Sequence, residues 1–163
     1  CISFYPAKIV GSLGDGGAII TNNDELCKFA KSVRDHGRGI GLEADNWGRN
    51  SRLDSINARI ILERLNNLNV LIQKRRKLAS IYNQELRILE KLEYIKLPPK
   101  YSSNSESEST YQNYEIQAKD RENLVFYLNE NKIGTIKQWG GFSIAHFSKL
   151  GYDIEKYPKI ETY

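Results

Sequence analysis

The chain has 163 residues, 40% hydrophobic and 27% charged, with 24 Lys and Arg against 20 Asp and Glu. That length suits one ordinary domain with a real core, and the composition excludes wholesale disorder and a membrane-embedded protein. No apolar run approaches the roughly 18 residues of a spanning helix, so a soluble chain without a membrane partner is expected. The net charge of +4 is mild, and the two signs are interleaved. A dedicated nucleic-acid binder gathers its basic residues on one face, so no nucleic-acid partner is expected. The one dense basic run, Lys74-Arg75-Arg76-Lys77, falls within a helical pattern and reads as a solvated helix face, with an anion patch as the second reading. Cys1 and Cys27 have no ligand-like spacing and only two histidines accompany them, so no metal site and no disulfide framework is expected, and a reducing cytoplasm fits. Met is absent and Cys1-Ile2-Ser3-Phe4 opens as the middle of a strand would, so a piece of a longer protein is expected.

In chain order, Ile2 to Tyr5 is a short β-prone run stopped by Pro6. Gly11 to Gly17 holds four glycines in seven residues and reads as a tight hairpin, followed by a second strand, Ala18-Ile19-Ile20-Thr21. It lacks the Gly-Lys-Ser/Thr of a P-loop and the dinucleotide spacing. Asn22-Asn23-Asp24 supplies capping side chains for a helix in which Leu26, Phe29, Ala30 and Val33 recur. Gly37, Gly39 and Gly41 open a glycine-rich loop running to about Asn50. From Leu53 a helical stripe continues through Leu89, bent near Asn66-Asn67-Leu68-Asn69 and closed off by Pro98-Pro99. Residues 102–110 are low-complexity and polar, and are expected to be a solvated loop. Tyr111 to Ala118 alternates like a strand, Asp120 caps a helix to about Asn131, and Ile133 to Trp139 reads as another strand.

Lys8 lies between a strand end and the glycine loop, where partial desolvation would favour the neutral, nucleophilic amine. A lone lysine is more often a solvated charge. Ser3, five residues earlier, offers a hydroxyl suited to a phosphate, although a strand serine needs no such role. Asn50 and Arg52, just before the long helix, suit an anion or merely cap that helix.

Taken together and in order, Ser3-Phe4-Tyr5-Pro6-Ala7-Lys8, Gly14-Asp15-Gly16-Gly17-Ala18, Arg34-Asp35-His36-Gly37 and Gly48-Arg49-Asn50-Ser51-Arg52-Leu53-Asp54 change that weighting. The combination resembles the DegT/DnrJ/StrS family of nucleotide-sugar aminotransferases, and more loosely so through Gln138-Trp139-Gly140-Gly141 and His146. The resemblance implies an α/β fold of the aspartate-aminotransferase type, fold type I, present in part. Residues 1–85 would be the end of the large cofactor-binding domain with a connecting helix, and 86–163 an incomplete small domain. It implies pyridoxal 5'-phosphate as cofactor, held covalently by Lys8, with Ser3 on its phosphate. Asn50, and close by Arg52, would reach the phosphate of the neighbouring subunit, and His146 would face the sugar. A homodimer with shared sites is thereby implied, with a nucleotide sugar and an amino acid, glutamate being expected, as substrates. Relatives with histidine in place of the lysine are dehydratases, so Lys8 favours transamination. By the resemblance, the family's upstream aspartate and ring-stacking segment are expected to precede the chain and its final strands to lie beyond it, and Asn113 stands where histidine is common. The chain alone is therefore expected to be inactive, and the alternative is a non-catalytic regulatory protein that keeps the scaffold.

Overall fold

The computed structural model of the chain describes residues 1–41, 43–100 and 109–157. Two compact units divide it: Cys1–Ala79 with the described part of Glu106–Gln112, and the described parts of Ser80–Ser105 and Asn113–Tyr163. The division falls inside a helix.

In the first unit, β1 (Ile2–Ser3) pairs antiparallel with β2 (Gly17–Ala18), Ile2 facing Ala18 and Ser3 facing Gly17. The connection is a wide loop and not the tight hairpin expected from its glycines. It is closed by the Phe4 N–H on the Gly16 carbonyl and the Ser12 N–H on the Phe4 carbonyl, both 2.8 Å. Ser12 is buried, and its hydroxyl donates to the Phe4 carbonyl at 2.8 Å. The loop passes so close to its own start that a Cβ on Gly11 would stand 2.4 Å from the Pro6 carbonyl oxygen. The second strand is shorter than predicted and leaves Ile19 and Ile20 unpaired and exposed.

Helix α1 (Asp24–Arg34) begins at Asn23, whose side chain accepts the Leu26 N–H, with Asp24 and Glu25 in its first turn and Lys31 and Arg34 in its last. Helix α2 (Ser55–Asn66) is capped by Asp54 and buries Ile61. A fully buried aliphatic side chain of that size contributes about 1.5–3 kcal/mol. The predicted bend is a break at Asn67, whose Nδ2 donates to the Glu63 carbonyl at 3.0 Å. That side-chain bond competes with the helical ladder at the same carbonyl. Helix α3 (Leu68–Glu85) then starts afresh.

The basic run is only partly a solvated face. Arg75 and Arg76 are half-buried. Nη1 of Arg75 donates to the Tyr111 and Gln112 carbonyls at 3.2 and 3.0 Å, and Nε of Arg76 to the Ser109 carbonyl at 3.1 Å. Both guanidinium groups are thus engaged with backbone carbonyls of the same unit and are not simply a solvated face.

In the second unit the helical stripe reaches Leu89 as predicted, but a strand and not the proline pair follows it. After α3 comes a short α4 (Arg87–Lys91), then β3 (Ile95–Lys96), all before the two prolines. Glu93 adopts φ 59°, and the Tyr94 N–H reaches back to the Leu89 carbonyl at 3.0 Å. A left-handed residue with such a backward bond is how helices commonly stop. β3 pairs antiparallel with β4 (Gln117–Ala118), Ile95 facing Ala118. The expected strand from Tyr111 is thus a ladder only at its end, although half-burial still alternates from Gln112 to Ala118. Asp120 caps α5 (Arg121–Glu130) as predicted.

Ile133 to Trp139 is not a strand. Lys132 (φ 61°) ends α5 with the Ile133 N–H on the Leu128 carbonyl, Ile136 is exposed, and Trp139 turns to φ 51° within a 3-10 turn, Gln138–Gly141. A strand is stabilised by its ladder, and no described segment pairs with this one. Short 3-10 turns at Ile144–His146, Ser148–Leu150 and Ile154–Lys156 follow. The predicted polar loop 102–110 lies mostly outside the described residues.

Candidate functional site

The site is built from β1 outward. Ser3 sits in the strand, exposed, its Oγ accepting the Tyr5 N–H at 3.3 Å. Tyr5-Pro6-Ala7-Lys8 is a β-turn, closed by the Lys8 N–H on the Tyr5 carbonyl at 2.8 Å, with proline at the position that favours its fixed φ. The turn carries Lys8 to the surface. Its side chain is exposed and not half-desolvated as the flanking apolar residues suggest, since Ile9 and Val10 turn inward in its place.

The turn is held from a distance of over a hundred residues. The side-chain amide of Gln112 accepts the Ile9 N–H through Oε1 at 2.9 Å and donates from Nε2 to the Ala7 carbonyl at 2.8 Å. The two backbone groups flanking Lys8 therefore both bond to one side chain. Nothing in the pattern Tyr111-Gln112-Asn113-Tyr114 marks Gln112 for this. The only available signal was its inward position in a run of alternating burial.

A second cluster gathers where the loop from Gly37 returns. Asp35 and Asn50 form an antiparallel bridge, and Arg52 donates from Nε to Asn50 Oδ1 at 3.2 Å and from Nη1 to Asp35 Oδ1 at 3.0 Å. His36 Nε2 lies 4.0 Å from the same carboxylate. The guanidinium of Arg52 is thus engaged with Asp35 and with the carbonyl oxygen of Asn50, leaving the Asn50 amide N–H groups to donate elsewhere. The helix that follows docks on the glycine loop. Asn57 Oδ1 accepts the Leu13 N–H at 2.9 Å, and Leu53 packs so that a Cβ on Gly16 would be 3.1 Å from its Cδ1. Asp54 accepts both the backbone N–H and the side-chain amide of Asn57, which hold its carboxyl below the usual carboxylate range.

His146 belongs to the other unit. It ends a 3-10 turn, exposed, with Nδ1 receiving the Ser143 N–H at 3.0 Å and the ring edge-on to Phe142 at 5.6 Å. A backbone donor on Nδ1 puts the proton of the neutral ring on Nε2, which is left to meet a ligand as a donor. A cleft of about 780 Å³ in this unit is lined by Tyr94, Ile95, Ile116, Asp120 and Arg121 among others, and by none of the predicted site residues. Among the described residues no group of three or more His, Cys, Asp or Glu is placed to hold a metal ion.

The donor set fits an aldehyde-bearing phosphate ester. Lys8 supplies an exposed amine, and among the described residues none accepts from the Ser3 hydroxyl, whose oxygen accepts from Tyr5, or from the Asn50 amide. Ser3 and Lys8 share one strand and turn, Asn50 and Arg52 share the second cluster, and His146 stands in a separate unit.

Fold and sequence comparisons together define the class as an α/β aminotransferase scaffold, present in part. The chain belongs to the DegT/DnrJ/EryC1/StrS aminotransferase family, whose model matches residues 1–148. It is 28% identical to the dTDP-3-amino-3,4,6-trideoxy-alpha-D-glucose transaminase of Micromonospora megalomicea subsp. nigra, over 98% of this chain and 43% of that protein. It is 32% identical to the pleiotropic regulatory protein of Geobacillus stearothermophilus, over 98% of this chain and 42% of that one. The crystal structure of NtdA from Bacillus subtilis with bound cofactor PMP superposes with a TM-score of 0.69 at 34% identity, covering 79% of this chain and 30% of that one. The chain thus spans less than half the length of these relatives.

Proposed function

We propose that the full-length protein carrying this chain is a pyridoxal-phosphate-dependent aminotransferase that moves an amino group from an amino acid, glutamate by expectation, to a keto group of a nucleotide-linked deoxysugar. The observation that carries this is the exposed amine of Lys8 on a turn fixed at both flanks, following the strand that bears Ser3, in a chain of this family. When bound, the cofactor supplies an electron sink for the substrate carbon that loses its proton. Lys8 would hold the cofactor through its Nζ, and the same amine would accept and return the proton of the substrate carbon. Ser3 donates its hydroxyl to the phosphate. Asn50 donates its amide to the phosphate of the partner's site, with Arg52 fixing the amide by holding Oδ1. His146 offers Nε2–H to a sugar oxygen.

The shared site makes the active unit a homodimer. Support comes from the loop between Gly37 and Gly48, where Ile40 and Trp47 are fully exposed. Exposed aromatic and aliphatic side chains next to a site suit burial by a partner. The division into part of a large domain, residues 1–85, and part of a small one, 86–163, belongs to the same proposal, as does a cytoplasmic location. No described helix is long and apolar enough to cross a membrane. The alternative is a non-catalytic regulatory protein that keeps the scaffold, and one relative is named a pleiotropic regulatory protein. Retention of the amine, the hydroxyl and the amide together favours the enzyme.

Borohydride reduction of the full-length holoprotein, followed by peptide mass mapping, tests the reading. A pyridoxyl group on Lys8 is expected. Label on another lysine, or none, would overturn the assignment.

A further inference from the structure

We infer that Gln112 is a positioning residue for the Lys8 amine, and that Arg75 in turn positions Gln112. This rests on the reading of Lys8 as the cofactor lysine and extends it. A reactive lysine has a flexible four-carbon stem, so its aim depends on how firmly its own Cα is held. Three backbone hydrogen bonds fix that Cα: the turn bond from Lys8 to Tyr5, and the two bonds of the Gln112 amide to Ala7 and Ile9. A carboxamide presents one donor and one acceptor side by side, as a neighbouring strand would, and so pairs with the carbonyl before and the N–H after a single residue. No other side chain of that length does both. Glutamate keeps the acceptor toward Ile9 but sets a carboxylate oxygen against the Ala7 carbonyl.

Arg75 completes the device. Its Nη1 donates to the carbonyls of both Tyr111 and Gln112, so the backbone bearing the amide is tied to helix α3. The chain runs from helix to guanidinium to glutamine backbone to amide to the peptide groups around Lys8. Neither Gln112 nor Arg75 touches the reacting atoms on this account. Misplacing a reacting group by about 1 Å costs up to roughly a hundredfold in rate, which sets the scale for losing the clamp.

The test uses the full-length holoprotein and the variants Q112E and R75K. Q112E should still take up pyridoxal phosphate with Lys8 labelled by borohydride. Its kcat should fall roughly ten- to a hundredfold with the KM for the amino donor little changed, and the pH at which the bound cofactor's absorbance changes should shift. R75K should show the same pattern, more weakly. Independently of turnover, the Ile9 amide should exchange with solvent at least about tenfold faster in Q112E than in the wild type. Wild-type kcat and spectrum in Q112E, with Lys8 labelled, would overturn this inference alone. Label on a different lysine would overturn the assignment of Lys8 and this inference with it. If Q112E does not fold, the wild-type holoprotein decides: an Ile9 amide protected against exchange supports the clamp, and one exchanging like an unstructured peptide overturns it.

Discussion

Lys8 and His146 stand on turns of similar size, yet they are held in opposite ways. The Lys8 turn is bonded to a side chain 103 and 105 positions away in sequence, whereas the His146 ring touches Ser143 and Phe142 of its own turn. Long-range bonds fix a group relative to the core, while local bonds fix it only relative to its own few residues. The difference suits the proposed roles. The amine that meets one cofactor atom in every cycle gains from preorganisation, and a residue that meets the variable sugar loses little by being adjustable.

The sharpest way to break this comparison is Lys8→Arg. It keeps the charge and the turn but cannot form an imine, so turnover should fall by roughly a thousandfold or more. Single-turnover conversion of the cofactor by glutamate in the full-length protein measures it. Activity within tenfold of wild type would place the chemistry elsewhere.

Next in size is Asn50→Ala, expected to weaken cofactor binding on the order of tenfold, the scale of one charge-assisted hydrogen bond. If Asn50 serves the neighbour's site, mixing Lys8→Ala and Asn50→Ala subunits creates one hybrid site with both residues intact. Partial recovery of activity is expected, and none after verified subunit exchange would assign Asn50 to its own subunit. His146→Ala should do less still. A rise of several-fold in the sugar KM with kcat and cofactor absorbance unchanged is expected, which is the signature of lost ground-state binding. A collapse of kcat would show that the loosely held turn is as central as the clamped one.

The same contrast explains what could be read along the chain. The caps Asn23 and Asp120 were legible because a cap needs only its own side chain and the next turn. The break at Asn67 was legible for the same reason. Ile133–Trp139 has the composition of a strand, but a strand depends on a partner that no local pattern specifies. Gln112 and the inward use of Arg75 and Arg76 escaped because their partners are backbone groups far along the chain, and any residue type exposes those. The candidate residues Ser3, Lys8, Asn50 and Arg52 were visible as a linked set of motifs, while Gln112 and Arg75, which hold the Lys8 turn, were not.

The smallest effect concerns two carboxyls, one in each unit, both held below the usual carboxylate range. Asp54 is lowered by its hydrogen bonds from Asn57, and Glu122 by Lys137 and then Arg121. For both, a native value below the unfolded one means stability that is present at neutral pH and disappears as pH falls from the ordinary carboxylate range through the lowered native value. The partners differ. Asp54 joins a helix start to Asn57, which also binds the Leu13 backbone, whereas Glu122 pairs with two surface cations. Asp54→Asn should therefore keep most of the cap, since asparagine caps nearly as well, while removing that part of the acid dependence. Asp54→Ala should lower the denaturation midpoint at pH 7 and converge on wild type in acid. Glu122→Gln should lose a smaller increment, one that 0.5 M salt erases in the wild type because exposed ion pairs are screened. Urea titrations of the three variants at pH 7 and in acid, with and without salt, separate the two cases. A salt-sensitive Asp54 contribution would show that its cap acts as a surface charge and not as a hydrogen-bonded joint to the loop that follows Lys8.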